Sequence, residues 1–174
     1  MNNRPFAGLH FALIAAGEGS RLREEGVMAP KPLVEIQGRP MIERLLDIFV
    51  RNGAKSISVI CNEQMTEVRE YLESLCDVYP LNVVVQTTPS SMHSLAALSE
   101  VIPEGRFCLA TVDTIFKEQD FASFIRTFAS MEDGVCDGLF AVTPFVDDEK
   151  PLWVGVRPDE SPFSRICGTP RQVV

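Results

Sequence analysis

"LIAAGEGSRLREEGVMAPKPLVEIQGRP", Leu13–Pro40, carries the reading of this chain. It opens on the end of an apolar run, His10–Ala16, that suits a strand buried on both faces. The run breaks into Gly17-Glu18-Gly19-Ser20-Arg21, and a lysine, Lys31, follows between Pro30 and Pro32. Glycines at a strand end let backbone N–H groups come close to an anion. Arg21 adds a permanently charged fork suited to phosphate oxygens. The two prolines limit the backbone around Lys31 and hold its ammonium at low entropic cost. A strand that leaves through such a loop suits a sheet with a ligand at its edge.

The rest of the chain alternates in the same way. Pro40–Gly53 reads as a helix, with Met41, Ile42, Leu45, Leu46 and Phe49 on one face and Gly53 as its stop. Ser56–Cys61 is strand-like, and Glu63–Leu75 is helical with Met65, Val68, Leu72 and Leu75 aligned. Leu81–Gln86 is a third strand, and Ser90 or Ser91 caps a helix over Met92–Ile102. Arg106–Val112 is a fourth strand. Phe121, Phe124, Ile125 and Phe128 mark a further helix, and Gly138–Phe145 a fifth strand. Strands and helices in this order predict an α/β fold of Rossmann-like three-layer α/β/α type with a mainly parallel sheet. Ligands on such sheets bind beyond the carboxyl ends of the strands. The glycine loop and Asp113 both fall there. Residues 1–155 read as one nucleotide-binding domain, and 156–174, rich in Pro, Ser and Arg, as an irregular tail.

Composition narrows the class. A chain of 174 residues fits one domain with a sizeable core. The net charge of −8 argues against a nucleic-acid binder, while leaving room for a local nucleotide site. No window reaches the roughly 18 uncharged apolar residues of a membrane span, and no secretory leader is evident at the N-terminus. Five cysteines form no Cys-x-x-Cys pair, and Cys61, Cys108 and Cys136 sit in or beside strand-like runs. Buried, reduced thiols and a cytoplasmic location are expected.

The nucleotide fingerprints separate by elimination. Leu22 occupies the third glycine position of GxGxxG, and no Gly-Lys-Ser/Thr follows for a P-loop. A phosphate cradle and a plain turn both remain open for the glycine pair. Asp113 past a buried strand is either a magnesium ligand or a turn cap. Gln86 on its own reads as a polar strand end. His10 reads as structural, and His93 falls in the helix over Met92–Ile102 and could line a pocket there.

The ordered set Ala15–Ile42 resembles the nucleotidyltransferase family of sugar-nucleotide pyrophosphorylases, phosphocholine cytidylyltransferases and molybdopterin guanylyltransferase-like proteins. The shared pattern is Gly-x-Gly-x-Arg-Leu, Lys-Pro-Leu and Gly-Arg-Pro-Met. The resemblance runs from about Leu9 to about Phe145 and implies a nucleotide-diphospho-sugar transferase fold. It implies transfer of an NMP group from an NTP to a small phosphorylated acceptor (a sugar 1-phosphate or a phosphocholine-like molecule), releasing pyrophosphate. By that resemblance Gly17, Gly19 and Ser20 wrap the phosphates, and Ala15 and Ala16 approach the ribose or base. Arg21 holds the leaving pyrophosphate, and Lys31 contacts the phosphate where exchange occurs. By the same resemblance Gln86 is the candidate base reader, Ser94 belongs to the nucleotide site, and Asp113, within Leu109–Phe116, is the Mg²⁺ ligand.

One departure stands out. The family supplies a second metal carboxylate from a late strand, and an acceptor-side region beyond the fifth strand. Here Glu149-Lys150-Pro151 comes just after that strand, Asp147, Asp148 and Asp159 are the first places to look for the second carboxylate, and Asp159 and Glu160, in the irregular tail, make poor rigid ligands. The chain therefore reads as cut short on its C-terminal side. Weak turnover and self-association into a homo-oligomer are expected. A non-catalytic nucleotide-binding or assembly module is the alternative reading.

Overall fold

The computed structural model describes residues 8–17, 19–132 and 138–142, with the side chains of Ser20 and Arg21 left aside. The chain divides into two compact units, Met1–Glu118 and Gln119–Val174.

The first unit is built on four parallel strands: β1 (Leu9–Ala15), β4 (Ala54–Cys61), β5 (Leu81–Val85) and β6 (Phe107–Thr111), ordered β5-β4-β1-β6. Between β1 and β4 the chain forms a short helix α1 (Ser20–Glu24), a 3-10 turn (Lys31–Leu33), and a hairpin of β2 (Glu35–Ile36) and β3 (Arg39–Pro40). The helices α2 (Met41–Arg51), α3 (Thr66–Ser74) and α4 (Ser91–Ser99) complete the unit.

β1 is central, with Leu13 opposite Val59 of β4 on one side and Ala110 of β6 on the other. All seven of its residues are buried, as an apolar run in a parallel sheet requires. Side chains alternate across the sheet. Phe11 stacks on Phe49 of α2, with ring centroids 4.7 Å apart. On the opposite face, Ala12, Ile14 and Ile60 pack with Leu98 of α4, bordered by Val84, Leu95, Ile102 and Phe107. Helices therefore cover both faces, and the predicted three-layer α/β/α architecture is found. α3 lies on the α2 side, where the Tyr71 hydroxyl donates to Glu43 and the Tyr79 hydroxyl donates to Asp47 Oδ1 at 2.7 Å. Asp47 also pairs with Arg39, which ties the hairpin to α2.

The predicted helix face of α2 is buried, joined by Ile48. Pro40 proves to be the cap rather than part of the first turn, because it still pairs with Glu35 in the hairpin. Gly53 stops the helix with a φ of +86°, a conformation that favours glycine. Ser90 caps α4 in backbone conformation, but its hydroxyl bonds His93 Nδ1 (2.8 Å) instead of the backbone. His10 is buried in β1, its Nδ1 2.7 Å from Ser56 Oγ, which fits the structural reading. Cys61 and Cys108 are buried and Cys76 is exposed; Cys136 and Cys167 lie outside the described residues.

In the second unit α5, which begins at Glu118 and runs to Ser130, buries Phe121 and Ile125. Of the predicted fifth strand, Gly138–Val142 is described, with a single bridge residue at Leu139. Its remainder, the late acids Asp147, Asp148 and Asp159, and the 156–174 tail lie outside the described residues. Among the described residues, no helix is long and apolar enough to cross a membrane.

Candidate functional site

The strand order changes direction at β1: the chain builds outward through β4 to β5, then returns to place β6 on the other side of β1. In open parallel sheets the crevice at such a switch, beyond the carboxyl ends of the strands, is where ligands bind. β1 and β6 end there together, held by a bond from Val112 N–H to Ile14 O at 3.0 Å.

From β1 the chain emerges through Ala15, fully buried, and Ala16, half-buried, to Gly17. A Cβ added at Gly17 would meet nothing within 4 Å, so protein packing places no demand for glycine there. Gly19 differs. Its φ is +65°, and a Cβ there would lie 2.9 Å from Lys31 Cβ. Both backbone conformation and close approach require glycine. The loop then winds into α1, which ends in a Schellman turn: Val27 N–H bonds Leu22 O (2.8 Å) and Gly26 N–H bonds Arg23 O (3.0 Å). Ser20 and Arg21 lie in this helix.

Pro30 and Pro32 shape the next turn. Leu33 N–H bonds Pro30 O at 2.8 Å, and Pro32 is buried. Lys31 lies between them, its stem against Gly19 and its Nζ donating to Asp113 Oδ2 at 2.6 Å. Eighty-two positions separate these two residues, so the sheet brings them together. The Asp113 carboxyl is subject to opposing influences. Its partial burial raises the pKa, but hydrogen bonds with Lys31 and Thr111, and the Lys31 charge, outweigh that and hold it below its ordinary value. Asp113 is ionised at neutral pH. The segment after it is braced: Arg44 of α2 donates to Phe116 O at 3.0 Å, with its guanidinium 5.7 Å from that ring's centroid.

Further along the same edge, Gln86 follows β5, exposed, with its N–H bonded to Cys61 O at 3.0 Å. Ser94 is buried in α4, and its hydroxyl lies 2.6 Å from Thr88 Oγ1. The structure thus joins Gly19, Lys31 and Asp113 directly and sets Ala15, Ala16 and Gly17 on the adjacent strand end. Gln86 stands two strands away at the same edge. Sequence reasoning missed Thr111, Arg44 and Asn62. Asn62 is a polar residue immediately past a buried strand, the very signal that marked Asp113.

Among the described residues, no cluster of three or more His, Cys, Asp or Glu side chains could enclose a metal. A single half-exposed carboxylate suits a cation that takes its other ligands from phosphates and water, as Mg²⁺ does. It does not suit an all-protein cage.

Comparison with known proteins bears on the family and the fold. The family described as the MobA-like NTP transferase domain matches residues 11–155. The 2-aminoethylphosphonate cytidylyltransferase of Lancefieldella rimae is 30% identical over 111 residues, covering 62% of this chain and 44% of that protein. The glucose-1-phosphate cytidylyltransferase of Salmonella typhimurium is 34% identical over 59 residues, covering 34% and 23%. Among solved structures, the inositol-1-phosphate CTP transferase from T. maritima superposes with a TM-score of 0.58 at 20% identity, covering 68% of this chain and 50% of that one. This chain belongs to the MobA-like NTP transferase domain family. The resemblance read from Ala15–Ile42 and the fold expected from it both hold. The chain spans less than half the length of the curated relatives it matches.

Proposed function

We propose that this chain forms the nucleotide side of a cytidylyltransferase, moving CMP from CTP to a small phosphate- or phosphonate-bearing acceptor. The observation that carries the proposal is the Lys31–Asp113 pair, set beside the glycine loop where β1 and β6 end. The cytidylyltransferases among its relatives support CTP, and their named substrates support the acceptor class.

An oxygen of the acceptor attacks the α-phosphorus in line. One P–O bond forms, the α–β bridging bond breaks, and its electron pair leaves on pyrophosphate. The acceptor is already anionic, so no histidine base is needed. The backbone at Gly17 and Gly19 lets the phosphates approach. Lys31 leaves Asp113 and neutralises charge on the phosphate under attack, while Ser20 joins the glycine loop around the phosphates and Arg21 serves the departing pyrophosphate. Asp113 would hold Mg²⁺, which when bound offsets charge across the phosphates. Gln86 faces the base. The chain's contribution is positioning and electrostatics.

Calorimetry with CTP, UTP, ATP and GTP in Mg²⁺ tests the nucleotide assignment, and pyrophosphate release with phosphorylated and phosphonate acceptors tests transfer. CTP is expected to bind most tightly. Absence of binding by all four nucleotides would refute the reading.

A further inference from the structure

We infer that Asn62 is a positioning residue for base selection, acting through the Gln86–Ser90 loop without touching nucleotide. The inference rests on the reading of Gln86 as the base reader. Asn62 directly follows β4 and is only 3% exposed. A buried amide is costly unless its polar atoms are bonded. Its Oδ1 accepts two hydrogen bonds, from Gln64 N–H and from the Thr87 hydroxyl, each 2.9 Å. The first shapes the turn after β4. The second reaches across to the residue next to Gln86.

The loop it holds is mostly exposed. Besides the bonds of Thr87 to Glu63 Oε2 and of Ser90 to His93 and to Ser94 N–H, three tie it to its neighbours. Gln86 N–H bonds Cys61 O, Thr87 bonds Asn62, and Thr88 meets the buried Ser94 hydroxyl. Asn62 and Ser94 therefore grip consecutive loop residues from β4 and α4. An apolar side chain at position 62 would fill the space equally well. An amide supplies an acceptor with a fixed direction, which orients the loop carrying Gln86. The phosphate side, built on Gly19, Lys31 and Asp113, shares none of these bonds.

The test is calorimetry on the full chain with Mg²⁺–CTP, Mg²⁺–UTP and Mg²⁺–tripolyphosphate, the last presenting phosphates without a base. Asn62→Ala should weaken CTP binding about fivefold to tenfold, as expected for lost buried hydrogen bonds, and move the CTP-to-UTP ratio toward one. Tripolyphosphate should stay within about twofold. Thr87→Val, at an exposed residue, removes the cross-strand bond to Asn62 together with a longer one to Glu63 Oε2 (3.4 Å) and should shift CTP in the same direction by a smaller factor; it decides the matter if Asn62→Ala does not fold. Equal weakening of CTP and tripolyphosphate, or unchanged CTP, overturns the role of Asn62. Gln86→Ala separates the two levels. If it leaves CTP binding unchanged, the base-reading assignment falls and takes this role with it. If it weakens CTP while Asn62→Ala does not, only the positioning role falls.

Discussion

Replacing Lys31 by alanine should move two ligands in opposite directions. In the free protein the Lys31 ammonium is spent on Asp113, 2.6 Å away, with side-chain exposures of 26% and 47%. A pair this open to water contributes about 0.2–1 kcal/mol to folding. The melting temperature of a chain of this size should therefore fall by no more than about 4 °C. Binding is a different matter. A charge-assisted bond to phosphate is worth roughly 1.5–3 kcal/mol, so affinity for Mg²⁺–CTP should fall about tenfold to a hundredfold. Mg²⁺ alone should bind more tightly, by up to about fivefold, because Asp113 no longer has to part from a cation first. Asp113→Asn should abolish the Mg²⁺-dependent part of binding. The pair is expected to persist across the neutral range. Because the folded-state pKa of Asp113 is depressed, its stabilisation is present above the ordinary carboxylate value and disappears as pH falls through the lower folded value. Calorimetry with CTP and with MgCl₂ separately, alongside a melting curve, reads all three quantities. Unchanged affinity for both ligands, or a melting shift several times larger than expected, would refute the reasoning.

Two further outcomes follow from the glycine loop and the α2 surface. Gly19→Ala should cost about 1–2 kcal/mol for the left-handed backbone alone, and by displacing Lys31 it should also weaken CTP; Gly17→Ala should leave the melting temperature unchanged, and a loss of CTP affinity there would report close approach by the phosphates. Tyr71 is raised to about 12 by burial and its bond to Glu43. The stabilisation this provides is full below about pH 10, where the unfolded phenol is still protonated, and fades as pH rises toward 12. Tyrosinate absorbance should therefore show one phenol titrating with the Tyr71→Phe variant's loss, and a titration completed by pH 10.5 would contradict the assignment.

Much of the sheet was legible because burial on both faces leaves few residue choices. His10–Ala16 could be little else, and the spacing of Met41, Ile42, Leu45, Leu46 and Phe49 repeats with the helical turn. Lys31 and Asp113 were legible as types of residue at types of position. Their direct pairing was not, because it depends on β6 lying beside β1, and strand order is not written in local periodicity. The five-residue helix α1 escaped because it has too few turns to show a period; Gly26 as its stop was the one usable sign. The hairpin turn passes through Gln37 at a φ of +55°, where glycine or asparagine is the usual signal. Asn62 was overlooked because an amide suggests no chemistry until its two bonds are seen.

The place of β6 in the sheet also has a consequence in time. Its partner β1 lies about a hundred positions earlier, so pairing the two closes a long stretch of chain and carries that entropic cost. During synthesis the glycine loop and Lys31 leave the ribosome long before Asp113 exists to meet them. On the proposed function, nucleotide capture would wait in the nascent chain until residues 107–113 have docked. A ligand that binds only the completed crevice acts as a latch on the finished sheet, stabilising it by mass action at the last step of its assembly.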